Sequence, residues 1–184
     1  MIKSKMTMNE KIKQGLILLI STVGLIGVDQ IVKGWSVQHL KDQSAIVLWP
    51  GVFELSYVEN RGAAFGMLEG QIGLFTVLTL TVILALIFVY FRLLPERKFW
   101  LTRVCCIGVM AGAVGNLIDR ICLRYVVDMF YFKLIDFPVF NVADCYVVVG
   151  VFLFCCTAFL QKDLLDDITD QLRGKDRKNN GTEV

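Results

Sequence analysis

Four long apolar runs constrain how this chain can fold. They lie at about residues 15–35, 72–91, 99–118 and 140–160, and each approaches the roughly 20 residues that a helix needs to cross hydrocarbon. With 55% hydrophobic residues and a mean hydropathy of +0.60, the chain is too apolar for an ordinary soluble domain. The alternation typical of a transmembrane barrel is absent, which leaves helices as the spanning structure. We therefore predict a membrane all-α fold, a four-transmembrane-helix bundle.

The basic residues indicate which side of the membrane each end occupies. Thirteen of the 19 lysines and arginines precede the first run, flank the second and third runs where these two meet, or follow the fourth run. Because basic residues are enriched in cytoplasmic segments, we expect both termini to be cytoplasmic and the loops at 36–71 and 121–139 to face outward. Residues 1–162 are expected to form the membrane domain, and residues 163–184 a polar cytoplasmic tail.

The outward loops carry a strand pattern. Phe53, Leu55 and Tyr57 alternate with polar residues after a turn signal at Trp49-Pro50-Gly51, and residues 130–139 are rich in aromatic and β-branched side chains. Alternation of this kind is typical of a strand with one buried face. We predict a small extracytoplasmic β-sheet element resting on the bundle.

Charged and amide side chains interrupt the apolar runs near their outward ends. An ionisable residue inside a span costs at least about 2.5–3.5 kcal/mol on insertion scales, so it is a functional hypothesis by default. Given the predicted topology, these residues share a similar depth, and four of them are carboxylates. The sequence thus predicts a polar site near the outward interface, built from Asp29, Asn116, Asp119, Arg120, Asp128, Asn141 and Asp144.

Some of these residues have a purely structural interpretation. Asp29 and Lys33 are four apart on one helix face and can form an ion pair. Arg120 adjoins Asp119 and could compensate its charge. Gly108 and Gly112 form a small-xxx-small pair that would let another helix approach closely, and Asn116 could hydrogen-bond across that contact.

Asp128 and Asp144 differ, because each has apolar flanks and no adjacent cation. Burial disfavours the charged form of such a carboxyl, and two acids that share one proton can activate a water molecule. The spacing alone does not prove that these two meet, and a pair of Asp119 with Asp144 is the next alternative.

Other chemistries fit the sequence poorly. Its single histidine, His39, and the lack of HExxH or GxSxG argue against a metal site or a serine hydrolase. No phosphate-binding loop or basic and aromatic stripe for nucleic acid is present.

Two alternative functions stay open, a proton-coupled transporter and a purely structural membrane subunit. The first would need acids near the midplane, and the second leaves Asp128 and Asp144 without partners.

Five short motifs occur in order along the chain: Asp29-Gln30-x-x-Lys33, Asn60-x-Gly62-Ala63-Ala64-Phe65, Gly115-Asn116-Leu117-Ile118-Asp119-Arg120, Val126-Val127-Asp128 and Phe140-Asn141-Val142-Ala143-Asp144. Each would be weak alone. Their combined order and spacing resemble those of the lipoprotein signal peptidase family (signal peptidase II) over about residues 15–160.

The resemblance implies a multi-pass aspartic endopeptidase of the bacterial inner membrane, with its active site near the extracytoplasmic face. The implied substrate is a diacylglyceryl-modified prolipoprotein, cut just before the lipidated cysteine to release the signal peptide. We expect a monomer in contact with membrane lipid, with no metal, organic cofactor or nucleic acid. The family's catalytic pair corresponds to Asp128 and Asp144, which replaces the alternative with Asp119. Supporting or substrate-orienting positions correspond to Asp29, Lys33, Asn60, Gly62, Asn116, Asp119, Arg120 and Asn141.

Overall fold

The computed structural model describes residues 7–62, 70–93 and 99–160, together with Thr169. Four long helices and one three-stranded sheet make up this part of the chain, and each helix is long and apolar enough to cross a membrane. The predicted four-helix membrane fold with a small sheet is therefore confirmed. In chain order the elements are α1 (Met8–His39), β1 (Ile46–Trp49), β2 (Phe53–Asn60), α2 (Ile72–Phe88), α3 (Trp100–Cys122), β3 (Val126–Tyr131) and α4 (Val142–Leu160).

Two predicted features lie outside the described residues. The tail predicted at 163–184 is described only at Thr169, and Ala63, Ala64 and Phe65 of the second motif are not described.

The helices extend beyond the apolar runs where capping or polar contacts stabilise the additional turns. For example, α1 begins at a capping box, in which the Thr7 hydroxyl accepts from the Glu10 N–H (3.2 Å) and Glu10 accepts from the Thr7 N–H (2.8 Å).

Large apolar side chains cover the outside of the helices. None of the residues of α2 is buried, and α4 exposes Val148 and Phe152 at 67% and 66%. Exposed apolar surface on this scale marks an interaction with lipid or protein. Along α2 and the outer faces of α1 and α4, it suits the hydrocarbon of a bilayer.

Glycines set the close packing of α3 against α4. A Cβ added at Gly112 would fall on the carbonyl oxygen of Ala143 and 2.7 Å from Val147 Cγ2, and one at Gly150 would lie 2.8 Å from Val109 Cγ2. The small-residue contact predicted from Gly108 and Gly112 is thus confirmed, with α4 as the neighbouring helix. This contact brings the start of α4 against the second half of α3.

The sheet joins one end of the bundle, called here the sheet end. Its strands pair antiparallel in the order β1-β2-β3, with Leu55 opposite Phe130 and Val58 opposite Asp128. A buried apolar cluster of Leu40, Val127 and Met129 packs β3 against the end of α1. The strand predicted from alternating residues 53–57 is therefore present as β2.

The chain after β3 turns back to the same strand. A 3-10 turn at Lys133–Ile135 follows β3, so the aromatic segment 130–139 is only partly a strand. Phe140 then pairs with Phe130, whose N–H donates to the Phe140 carbonyl (2.8 Å) and whose carbonyl accepts from the Phe140 N–H (3.0 Å). This bridge places the first residues of α4 beside Asp128.

Candidate active site

Three buried charges at the sheet end form an ion-paired group, called here the acid–lysine cluster. Lys33 Nζ lies 2.9 Å from Asp29 Oδ2 and 2.9 Å from Asp119 Oδ2. The exposed fractions of Asp29, Lys33 and Asp119 are 0%, 3% and 2%. Gln30 Nε2 donates to Asp119 Oδ1 (3.0 Å) and to Asp29 Oδ2 (3.2 Å). Each charge in the cluster therefore has a partner of opposite sign, as buried charges require.

Backbone groups complete the acid–lysine cluster. Asp29 Oδ1 accepts from the Ala143 N–H (2.9 Å), and Asp119 Oδ2 accepts from the Val127 N–H (3.1 Å). A Cβ at Gly115 would lie only 2.7 Å from Asp29 Oδ2, so this glycine makes room for the carboxylate. The cluster consequently ties α1 to α3, to β3 and to the first turn of α4.

The sequence-based pairing within this group is partly confirmed. The Asp29–Lys33 ion pair is present. The direct ion pair of Asp119 is with Lys33, while Arg120 interacts with Asp119 at longer range. Successive helix residues point about 100° apart, so adjacency in sequence does not place the two side chains together. Arg120 instead donates to the Asn116 carbonyl (3.4 Å), with its guanidinium 5.1 Å from the Phe75 ring centroid.

Asp128 and Asp144, called here the acid pair, contact one common residue. Asn141 Nδ2 donates to Asp128 Oδ1 (2.6 Å), and the Asn141 backbone N–H donates to Asp144 Oδ2 (3.1 Å). The Asn141 side-chain oxygen accepts in return from the Asp144 N–H (3.0 Å). This reciprocal arrangement caps the start of α4. It also holds the two carboxyl groups on either side of a single asparagine.

Asn116 connects the acid pair to the acid–lysine cluster. Its Oδ1 accepts from Lys33 Nζ (2.8 Å) and from Asn141 Nδ2 (3.1 Å), while its Nδ2 donates to Asp144 Oδ1 (2.8 Å). The hydrogen bond predicted for Asn116 across the helix contact is therefore present, and it ends on a carboxylate of the acid pair.

Asn60 approaches Asp128 from the neighbouring strand. Its Nδ2 donates to Asp128 Oδ2 (2.9 Å), and its Oδ1 accepts from the Gly62 N–H (3.0 Å). The hydrogen bond from the Gly62 N–H thus fixes the orientation of the Asn60 amide. Both oxygens of Asp128 accept from amide groups, one on each side.

Burial shapes the acidity of Asp128, which is 1% exposed. Burial above all raises the pKa of this carboxyl from its usual 3.8 to about 7; the nearby Asp144 carboxylate acts in the same direction, and hydrogen bonds from Asn60 and Asn141 act against it. A group that titrates near neutral pH beside a second acid can hold a proton and release it during a reaction.

The acidic residues do not form a recognisable metal site. Within residues 7–62, 70–93 and 99–160, no group of three or more His, Cys, Asp or Glu side chains is arranged to hold a metal ion. The donors around the acid pair are amide N–H groups, which already point their positive ends at the carboxylate oxygens that a cation would need. The arrangement suits chemistry that exchanges protons with water.

Reasoning from the sequence did not assign a role to Gln30 or Gly115. Gln30 bonds to both acids of the acid–lysine cluster and also donates to the Gly115 carbonyl (3.3 Å). The sequence did contain a signal for Gln30. An amide next to an aspartate inside an apolar run needs polar partners, so Gln30 could have been assigned to the polar site.

Comparisons with known proteins agree with this architecture. A family model described as signal peptidase (SPase) II matches residues 21–160. A lipoprotein signal peptidase of Streptococcus thermophilus is 45% identical over 134 residues, covering 73% of this chain and 86% of the relative. One from Clostridioides difficile is 41% identical over 140 residues, covering 76% and 93%.

Solved structures show the same likeness. A bacterial membrane enzyme structure obtained by the in meso method at 1.9 Å resolution aligns with a TM-score of 0.66 at 27% identity, covering 77% of this chain and 91% of that one. A second, at 2.3 Å resolution, aligns with the same TM-score at 25% identity, covering 89% and 93%. The chain therefore belongs to the signal peptidase II family, and its four apolar helices make it a multi-pass membrane protein.

Proposed function

We propose that this chain is an aspartic endopeptidase that removes the signal peptide from diacylglyceryl-modified prolipoproteins, cutting just before the lipidated cysteine. Asp128 and Asp144 are its catalytic residues. The observation that carries the proposal is that Asn141 hydrogen-bonds to both carboxyl groups. The names of the relatives supply the substrate class.

The acid pair can add water across a peptide bond. One carboxylate takes a proton from water, and the resulting hydroxyl bonds to the scissile carbonyl carbon. The other acid is protonated and donates to the carbonyl oxygen as negative charge develops there. The C–N bond then breaks, and the leaving nitrogen departs with the proton taken from water. No group beyond the two acids and one water is needed for this balance.

The surrounding residues hold the acids in place. Asn60, Asn116 and Asn141 each donate to a carboxylate of the pair. The acid–lysine cluster of Asp29, Lys33 and Asp119 fixes the elements that carry them. Gly62 orients Asn60, and Arg120 lies one helical turn beyond Asn116, where it can face the substrate backbone.

The sheet end faces the extracytoplasmic side of the bacterial inner membrane in this proposal. The excess of basic residues at the opposite ends of the helices supports that orientation. A site at the interface suits the substrate, since the lipid chains on the cysteine can stay in the bilayer while water reaches the peptide bond. The protein acts as a monomer with a tail in the cytoplasm.

The test is cleavage of a diacylglyceryl-modified prolipoprotein by the full chain purified in detergent. We expect cleavage by the wild type and none by Asp128→Asn or Asp144→Asn. Asp136→Asn is the matched control, because Asp136 is exposed on the loop after β3 and undergoes the same chemical change. Activity without any ion gradient argues against transport, and normal cleavage by either acid-pair variant would refute the proposal.

A further inference from the structure

The two members of the acid pair have different surroundings, and this difference bears on where their shared proton resides. We propose that Asp144 is the ionised member and the base toward water, and that Asp128 carries the proton. This inference rests on the proposed function and goes one step beyond it, because it gives each acid a distinct role.

Each amide around the acid pair has only one workable orientation. Lys33 can only donate, so Asn116 must turn its oxygen toward Lys33 (2.8 Å) and its NH₂ toward Asp144 (2.8 Å). Asn141 likewise turns its oxygen to the Asp144 N–H (3.0 Å). Asp144 thus receives a side-chain donor whose direction is dictated by a buried cation, whereas the two amides that donate to Asp128 are oriented by backbone N–H groups.

The position of Asp144 on α4 favours its charged form. It lies in the first turn of the helix, where its Oδ2 accepts from the Asn141 backbone N–H (3.1 Å). The N-terminal end of a helix stabilises negative charge. Asp128 lies instead in the middle of β3, and its two oxygens accept from the side-chain amides of Asn60 and Asn141.

The charged groups around the two acids differ in the same sense. Lys33 on α1 and Arg120 on α3 act on both acids, but Arg120 interacts more strongly with Asp144 than with Asp128. Asp128 also faces the Asp144 carboxylate. Four carboxylates, including Asp29 and Asp119, share these two cations. One neutral acid relieves that excess, and Asp128, almost fully buried, is the costlier one to ionise.

This placement assigns the steps of hydrolysis. Asp144 takes a proton from water, and the hydroxyl bonds to the carbonyl carbon while Asp128 gives its proton to the carbonyl oxygen. When the C–N bond breaks, Asp144 passes its proton to the leaving nitrogen, and the product oxygen returns a proton to Asp128. The pair ends in its starting state.

Infrared difference spectroscopy locates the proton without any substrate. The full chain in lipid nanodiscs is compared between about pH 5 and pH 9, as wild type, Asp128→Asn, Asp144→Asn and Asp136→Asn. We expect a protonated-carboxyl band that titrates near neutral pH in the wild type and in Asp136→Asn. It should vanish in Asp128→Asn and persist, with a lower midpoint, in Asp144→Asn.

A further variant keeps both acids in place. Asn60 donates to Asp128 and not to Asp144, so Asn60→Ala should move the midpoint of the band upward by removing a donor to the charged form. Three results would overturn the assignment. The band could disappear in Asp144→Asn but survive in Asp128→Asn, or it could be halved in both variants. The third is a midpoint that does not move in Asn60→Ala. None of these outcomes would affect the proposed peptidase function, which fails if the wild type does not cleave the prolipoprotein or if an acid-pair variant still does.

Discussion

The acid–lysine cluster and the acid pair contain the same residue type within one small region, yet their surroundings are opposite. In the cluster, Asp29 and Asp119 share Lys33 and accept further bonds from Gln30 and the backbone. In the pair, every donor among the described residues is a neutral N–H group. The difference teaches that the partners of a buried carboxylate, more than its depth, decide whether it is held in an ion pair or left without a cation, as the proposed catalytic role requires.

Energetics explain why the two groups coexist. Breaking a buried ion pair by removing one partner costs about 3–5 kcal/mol, because the remaining charge is left uncompensated. A carboxyl that stays partly neutral avoids that cost but is ready to exchange a proton. The fold therefore pairs Asp29 and Asp119 with a lysine and leaves Asp128 and Asp144 without an ion pair, able to exchange a proton.

The largest expected effect is on catalysis by Asp144→Asn. We expect single-turnover cleavage to fall by about 10⁴-fold, at the upper end for loss of an acid or base, while thermal unfolding in detergent changes little. Asp29→Asn is the comparison variant and should show the reverse, a clear loss of stability with cleavage retained in the folded fraction. If both variants lost cleavage and stability to the same extent, the acid pair and the acid–lysine cluster would not have different roles.

Lys33→Met tests the cluster directly. Removing the shared cation leaves two buried carboxylates unpaired, so we expect a loss of about 3–5 kcal/mol in the free energy of unfolding, measured by denaturant titration in detergent. Adding Asp29→Asn and Asp119→Asn to this variant should restore part of that loss. A single variant as stable as the wild type would mean that the ion pairs do not hold the helices together.

Asp128→Asn should change stability in a pH-dependent way. Because the folded pKa of about 7 exceeds the unfolded value of 3.8, the folded state binds the extra proton in this window, and wild-type stability falls as pH rises from about 4 to 7. The loss amounts to at most about 4 kcal/mol. The variant cannot ionise here, so its advantage over the wild type should grow to a plateau above pH 7 and vanish below pH 4, as followed by thermal unfolding. Parallel pH curves for the two proteins would contradict this.

Gly115→Ala should give the smallest effect. The added methyl group would meet Asp29 Oδ2 at 2.7 Å, and overpacking of this kind costs about 1–3 kcal/mol. Gly24→Ala is the matched control, since a Cβ there meets nothing within 4 Å. Thermal unfolding should separate the two variants, and equal melting temperatures would show that α1 can shift away from α3 at no cost.

Much of the fold follows from local sequence patterns. Hydropathy located the four spanning helices, and alternation at residues 53–57 located β2, because both signals arise from short-range periodicity. The Asp29–Lys33 pair followed from helical spacing. The glycines at 108 and 112 indicated a close helix contact, although the sequence did not identify α4 as the partner.

The candidate site depended on contacts between distant segments. Asp128 is 68 residues from Asn60 and 13 from Asn141, and no local rule pairs a strand residue with these two. The physical reasoning therefore left Asp119 and Asp144 as an alternative pair, and the family resemblance decided between them. It also expected Arg120 to compensate the charge of its neighbour Asp119, whereas the direct ion-pair partner of Asp119 is Lys33 on α1.

The bridge between Phe130 and Phe140 has a mechanical consequence. It consists of main-chain hydrogen bonds, which join the strand of Asp128 to Phe140, two residues before α4. Spanning helices tilt to match bilayers of different thickness. A tilt of α4 would thus carry both acids along together, so their separation should be insensitive to the lipid composition around the protein.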